Sequence, residues 1–508
     1  MSIPLLIGII GHRKIPVDYL GELEAELSQA LDDIRSQAPN TPLVLVSSLA
    51  EGADRLGARV GLAKGMELIV PLPFEIEVFK QDFPNTADEF NDLLGQAQCS
   101  FVATESGFCG YEGASRWIAR HCQIIIALWD GEQETPARGG TAHTVRLRLL
   151  VGESGHTLSG VADYLGPVLH IHCPRTSGAP RNKPRWLWPA DFGTQTLSFR
   201  QLFSPLDKFN EEAKKVDKES TQNSLKQLPE QLSSKDRLNL AFALADSLAN
   251  ASQWRFQLAL NTSVGLAIIG YMIQQAFGTA SGRITAGLFL TLALFVIYLS
   301  TRARNLECYL EYRALAEVLR VACFWRLAGV TASPTERFLN QHWGNLRWVR
   351  SAVNALWIPD TTVAPDLGLV KTRWIDDQQI YYERKSTASR IAARRSRWLE
   401  NICFVLSVIL AWIGAFEAEL GAATTFWSGV LLLLVGAINH YAFTRGWEED
   451  ASRYLSMAAP FSWCQQIWLL SDDKTRRVLV QELGSECVAE LSNWLLIHRN
   501  RPIGLIKG

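Results

Sequence analysis

The stretch that decides the architecture reads FQLALNTSVGLAIIGYMIQQAFGTASGRITAGLFLTLALFVIYLS, from Phe256 to Ser300. Two apolar runs flank a small-residue turn, AFGTASGR. Each run approaches the roughly 20 residues that an α-helix needs to cross a hydrocarbon layer. The design returns from Leu399 to Phe443, where EAELGAATT makes the turn. Thr301-Arg302 closes the first pair and Thr444-Arg445 closes the second, 143 residues later. Trp254 and Trp398 precede the two pairs, and Trp325 and Trp468 follow them. The chain therefore carries a duplicated membrane hairpin, with spans expected at about 256–277, 283–301, 399–417 and 425–444.

Flanking charge orients the hairpins. Arg302, Arg304, Arg390, Arg394, Arg395, Arg397 and Arg445 sit at one end, while the tips carry Arg283 against Glu417 and Glu419. The positive-inside rule then puts both termini and the middle region in the cytoplasm of a multi-pass inner-membrane protein. Four polar residues fall inside the spans: Asn261, Thr262, Asn439 and His440. Such groups either line a watery path or bond a neighbouring helix, and both readings stand.

The remaining composition narrows the field. Among 508 residues, 50 basic groups balance 51 acidic ones, so no nucleic-acid partner is expected. Nine scattered cysteines form no CxxC or Cys/His ligand pattern, so no metal site is expected. MSIPLLIGII lacks a basic leader and reads as a buried first strand. FNEEAKKVDKESTQNSLKQLPEQLSSKDR mixes both charge signs, and residues 201–255 read as a solvated, partly helical linker. The first hairpin with its following helices occupies 256–398, and the second occupies 399–508. The helix after the first hairpin, from Arg302, is expected to continue the second span. Trp343, Trp348 and Trp357 fall in the Trp-rich region beyond it.

Residues 1–200 alternate unbroken apolar strands with helical patterns, which predicts an α/β domain with a parallel sheet. In open α/β sheets a ligand sits beyond the carboxyl ends of the strands. Three such turns are rich in glycine and small polar residues. They supply Gly11, His12 and Arg13; Ser47, Ser48, Glu51, Gly52 and Asp54; and Gly139, Gly140 and Thr141, with Asp130 closing a late strand. Glycine lets a phosphate approach the backbone, and free N–H groups at a helix N-terminus attract it. Arg13 is the candidate positive charge, and Glu51 or Asp54 the candidate partner of ribose hydroxyls. His12 and His143 read as ligand hydrogen-bonders or cap residues rather than general bases.

These turns resemble a family. Gly11-His12-Arg13, SSLAEGADRL over 47–56, FKQDFP over 79–84 and the ARGGTA turn over 137–142 are similar to the SLOG superfamily of Rossmann-like domains, which includes the LOG nucleotide hydrolases. LOG hydrolases carry PGGxGTxxE, whose glutamate supports N-glycosidic cleavage. Here Arg138-Gly139-Gly140-Thr141-Ala142-His143-Thr144-Val145 places no acid in register. The resemblance thus implies a sensor of a nucleotide or ADP-ribose-like ligand rather than an enzyme. YRALAE over 312–317 and Phe324-Trp325 resemble the SLATT two-span effectors, and the second unit matches them in hydropathy and Trp468. The pairing implies a homo-oligomeric effector that opens a pore or disrupts the bilayer in prokaryotic anti-phage defence by abortive infection. The alternatives are a membrane-anchored nucleotide or NAD-like N-glycoside hydrolase, and a transporter or constitutive channel.

Overall fold

A computed structural model describes residues 2–105, 107–132, 138–150, 164–189, 199–232, 236–277, 279–335, 346–359 and 364–499. Trp343 lies outside them. Seven strands build one sheet: β1 (Leu5–Gly11), β2 (Leu43–Val46), β3 (Glu67–Leu72), β4 (Cys99–Val102), β5 (Ile124–Trp129), β6 (Val168–His172) and β7 (Arg185–Leu187). Their order is β4-β3-β2-β1-β5-β6-β7, and every pairing is parallel except β6 with β7. The expected α/β domain is therefore present.

Alternation within the strands loads both faces. Leu5, Ile7 and Ile9 join Leu45, Ile124 and Ile126 on one side, against α1 (Leu20–Gln37) and α2 (Ala53–Ala63). Leu6, Ile10, Val44 and Ile125 face the other, with α4 (Gly110–His121) and α5 (Thr141–Leu149). A short α3 (Ala87–Gly95) packs beside α2. From β1 the chain runs outward through β2, β3 and β4, then returns to β5 on the opposite side of β1. That reversal opens a crevice between the carboxyl ends of β1 and β5, where open α/β sheets take ligands.

The charged segment after the sheet is more than a solvated connector. In α6 (Phe199–Ala213), Phe203, Leu206 and Phe209 are buried in the core shared with the sheet. Asn210 is wholly buried; its Oδ1 accepts the Ile3 N–H at 2.8 Å and its Nδ2 donates to Ile3 O at 2.9 Å. Asp207 accepts from the Asn40 N–H and the Thr41 hydroxyl, both at 2.8 Å. The acidic and basic residues between these positions mask an apolar stripe at helical spacing.

After α7 (Lys218–Leu225), α8 (Arg237–Ala276) is one helix of 40 residues. Asp236 caps it by accepting the Leu238 N–H at 3.3 Å. Its first part, including Leu238, Phe242 and Ala245, is buried against α10 (Asn305–Ala328), and its second part is the first span. The other spans are α9 (Ala280–Arg302), the outer part of α12 (Asp377–Phe416) and α13 (Gly421–Arg445). These four helices are long and apolar enough to cross a membrane, and Leu288, Leu294, Phe295, Phe404 and Trp412 expose an apolar belt. Beyond α11 (Arg347–Leu356), a helical turn, Leu367–Val370, and a π-helical turn, Lys371–Asp376, lead into α12. The chain ends in α14 (Trp447–Trp468) and α15 (Asp473–Arg499).

The duplication is visible in detail. Trp254 and Trp398 are exposed where the spans begin, whereas Trp325 and Trp468 are buried beyond them. Ser263 donates to Ala293 O at 3.1 Å across the first hairpin, and Ser407 donates to Ser428 O at 3.1 Å across the second. Helix α10 does not continue α9, as the sequence suggested: Arg304 breaks the rod in the left-handed region at φ 54°. Gly446, at φ 65°, makes the corresponding break between α13 and α14. Asn261, Thr262, Asn439 and His440 are all exposed. Asn261 and Thr262 turn away from the buried stripe of Leu260 and Ser263.

Candidate functional site

Three turns interlock at the β1/β5 crevice. Gly11 ends β1 in a space with no room for a side chain: a Cβ there would stand 2.3 Å from Leu128 O and 2.4 Å from the Ala53 Cβ. Gly52 has φ 80° and would set a Cβ 2.4 Å from the carbonyl oxygens of His12 and Arg13. The Ala53 N–H donates to His12 O at 3.0 Å, which ties the start of α2 to the first turn. Thr141, the first residue of α5, donates its hydroxyl to Gly11 O at 3.0 Å. Gly139 O accepts from Ser115 Oγ at 2.9 Å, fixing the third turn to α4.

The cleft they border holds about 660 Å³. Of the residues expected from the sequence, Gly11, His12, Arg13, Ser48, Asp54, Gly139, Gly140 and Thr141 line it. The other four serve its walls. Ser47 is buried and donates to Asp54 O at 3.0 Å. Glu51 accepts from the Thr86 hydroxyl at 2.5 Å, and Gly52 makes the close approach described above. Asp130 pairs with Arg175 and lies 3.5 Å from His12 Nε2.

Sequence reasoning did not single out Lys14, Tyr111, Arg138 and Arg175, which also line the cleft. Nor did it foresee how Arg13 is engaged. Its guanidinium reaches Asp82 at 3.3 Å and lies 5.2 Å from the Tyr111 ring centroid, and the Tyr111 hydroxyl donates to the same carboxylate. The FKQDFP segment thereby closes over one side of the cleft, with Phe79 in its lining. Arg55 braces the second turn from behind. Its Nε donates to Leu49 O at 3.1 Å, Nη1 pairs with Glu89 at 3.1 Å, and the group stacks 4.5 Å from the Phe83 ring centroid.

Protonation follows from burial. The Asp130 N–H donates to His12 Nε2 at 3.0 Å, so that nitrogen is an acceptor and the ring is neutral. Burial lowers the His12 pKa, and the Asp130 carboxylate opposes it only in part. Burial pushes Asp54 up to about 7; the Ala50 N–H and the charges of Arg13 and Arg55 offset this incompletely. Asp130 also feels burial, but hydrogen bonds from Arg175 and the Glu132 N–H outweigh it and hold the carboxyl below its ordinary range. His143 is buried and its Nδ1 accepts the Gly139 N–H at 3.2 Å, which makes it a lock for the turn.

The arrangement offers Arg13, Lys14, Arg138 and Arg175, and the start of α5, to an anion. Asp54 supplies one carboxyl poised between its neutral and ionised forms. No protein-family model matches the chain, and no curated protein sequence matches it. An X-ray structure of DNA processing protein A from Streptococcus pneumoniae is similar at 20% identity, over 32% of this chain and 54% of that one, with a TM-score of 0.21. The chain thus spans about half the length of that protein, and a superposition of this extent has no bearing on ligand or activity.

Proposed function

We propose that the sheet domain is a SLOG-type sensor of a nucleotide-derived or ADP-ribose-like anion, and that its occupancy controls the duplicated, SLATT-like hairpins. The observation that carries this reading is the cleft at the β1/β5 reversal, walled by three glycine turns and rich in cations. A physical route for coupling supports it. Tyr111, Ser115 and Ile118 of α4 line the cleft, and His121 at the far end of α4 bonds Asn354 O of α11 at 2.9 Å. Trp348 of α11 donates to Glu311 of α10 at 3.0 Å, and α10 follows span α9 directly. The output is a pore or bilayer lesion formed by several copies at the inner membrane, with both termini cytoplasmic, in anti-phage defence. Ligand shifts such an assembly only by its difference in affinity for the closed and open forms.

The purified full chain, melted in detergent with nucleoside phosphates, NAD or ADP-ribose, tests the sensor. One of these is expected to raise the melting temperature. Gly140→Asp is the control, because a Cβ at Gly140 meets nothing within 4 Å and only charge is added to the cleft. It should abolish the ligand effect and leave the unliganded melting temperature in place. Equal stabilisation of both proteins would sink the assignment.

One observation favours a second reading, a membrane-anchored N-glycoside hydrolase. Asp54 lines the cleft with a carboxyl near neutrality, which suits a general acid or base. Turnover of NAD or a nucleoside monophosphate by the wild type, lost in Asp54→Asn, would select it over the sensor.

A further inference from the structure

A second cavity, of about 370 Å³, lies where the two duplicated units meet, and it shares no residue with the sheet cleft. Helices α10, α12, α14 and α15 enclose it together with the middle of α8 and the C-terminal end of α13. Phe256 and Gln257 open the apolar part of α8, Thr444 and Arg445 close α13, and Lys385 and Ser389 precede the apolar part of α12. The cavity therefore reaches the edge of the apolar belt at Phe256 and Arg445 and extends from there below the belt to Lys385. Its volume is within the range of small-ligand sites.

Its charge is unbalanced. Five cations line it, Arg313, Arg320, Lys385, Arg445 and Arg453, against three carboxylates, Glu317, Asp450 and Glu490. Those carboxylates are already committed. Glu317 takes Arg313 at 2.5 Å and also Arg320, while Arg453 takes Glu490 at 3.1 Å and Asp450 at 3.3 Å. Arg313 additionally reaches Asp246 at 3.0 Å. Lys385 and Arg445 have no carboxylate among the described residues; Lys385 has only the Tyr381 ring, 5.6 Å from its centroid. The Nε atoms of Arg320 and Arg453 are buried with no hydrogen-bond acceptor. Buried donors without acceptors are costly, and an anion nearby offsets part of that cost electrostatically.

We propose that this inter-unit cavity binds a phosphate ester. Lys385 and Arg445 supply the unpaired charge, Arg320 and Arg453 the inner donors, and the tyrosine-rich wall, with Tyr309 and Tyr454, packs the organic remainder. Two sources share this chemistry, the headgroup of an acidic lipid and a free phosphate compound. Its reach to the belt edge favours the lipid, because headgroups are concentrated there.

The test compares the full chain with Lys385→Gln/Arg445→Gln, in nanodiscs of phosphatidylglycerol and phosphatidylcholine and in detergent with inorganic phosphate. Arg390→Gln/Arg394→Gln serves as the control, since these arginines flank the same span but do not line the cavity. Native mass spectrometry is expected to find phosphatidylglycerol retained on the wild type and on the control. Retention should fall about tenfold or more in the cavity variant, the two cavity cations without a carboxylate having been removed. If phosphatidylglycerol shows no preference but phosphate raises the melting temperature of the wild type and not of the cavity variant, the source is a free phosphate compound. The proposal is overturned if neither probe distinguishes wild type from cavity variant, or if the control loses lipid to the same extent.

Discussion

Replacing Asp54 by asparagine tests the electrostatics of the cleft without changing its shape. The carboxyl is almost fully buried in the first turn of α2, and burial raises its pKa from an ordinary 3.8 to about 7. The folded chain therefore holds this proton to higher pH than the unfolded chain does. Below about pH 4 both states are protonated and Asp54 costs nothing. Between about pH 4 and 7 the folded state binds the extra proton, so stability falls as pH rises; above about pH 7 the full penalty applies. At about 1.4 kcal/mol for each pH unit, the penalty reaches about 4 kcal/mol. Asparagine cannot ionise, yet its Oδ1 can still accept the Ala50 N–H. The variant should melt within about 1 °C of the wild type near pH 4.5 and higher at pH 8, by about 4 °C. Intrinsic tryptophan fluorescence of the detergent-solubilised chain, melted at half-unit steps of pH, reads this directly. The neutral His12 has the opposite effect, since its lowered pKa makes stability fall as pH drops below the ordinary histidine range. It is common to both proteins and cancels in the difference. Parallel melting curves across pH 4.5 to 8 would refute the assignment of a buried, destabilised carboxylate.

Gly11→Ala places a methyl 2.3 Å from a backbone oxygen that has no freedom to retreat, and it should cost about 3 kcal/mol or more in the same melts. Recovery of wild-type stability would mean that the ends of β1 and β5 are not so closely joined. Asn210→Ala removes both bonds to Ile3 and leaves its N–H and carbonyl buried without them, so a loss of about 2 to 3 kcal/mol is expected, measured by urea unfolding of the solubilised chain. A change below about 0.5 kcal/mol would show that α6 is not anchored to the sheet.

The sheet was legible because LLIGIIG, LVLV and IIIALW are strand-length runs of apolar residues loaded on both faces. The hairpins were legible because lipid-crossing helices must be apolar along their whole length. Eight of the twelve ligand candidates line the cleft, since glycine turns at strand ends are local signals. Arg175 and Tyr111 gave no comparable signal, because each reaches the crevice only through the order of distant strands and helices. The docking of α6 was written in the spacing of Phe203, Leu206 and Phe209, but the surrounding charges dominated the composition. The inter-unit cavity is a property of packing: its cations belong to α10, α12, α13 and α14, and only the packing of those helices brings them together.

Helices α8 and α12 each run 40 residues without a break, from the soluble core into the apolar belt. At about 1.5 Å per residue each is about 60 Å long. Neither has proline, and the left-handed breaks occur elsewhere, at Arg304 and Gly446. An unbroken helix of this length has the geometry of a lever. A tilt of about 5° at its buried end moves the far end of the span by about 2 to 3 Å for a pivot at mid-length. By this geometry a small tilt at the buried end of either helix would displace its hairpin tip laterally, and the core that the two helices share would limit how far they could tilt apart.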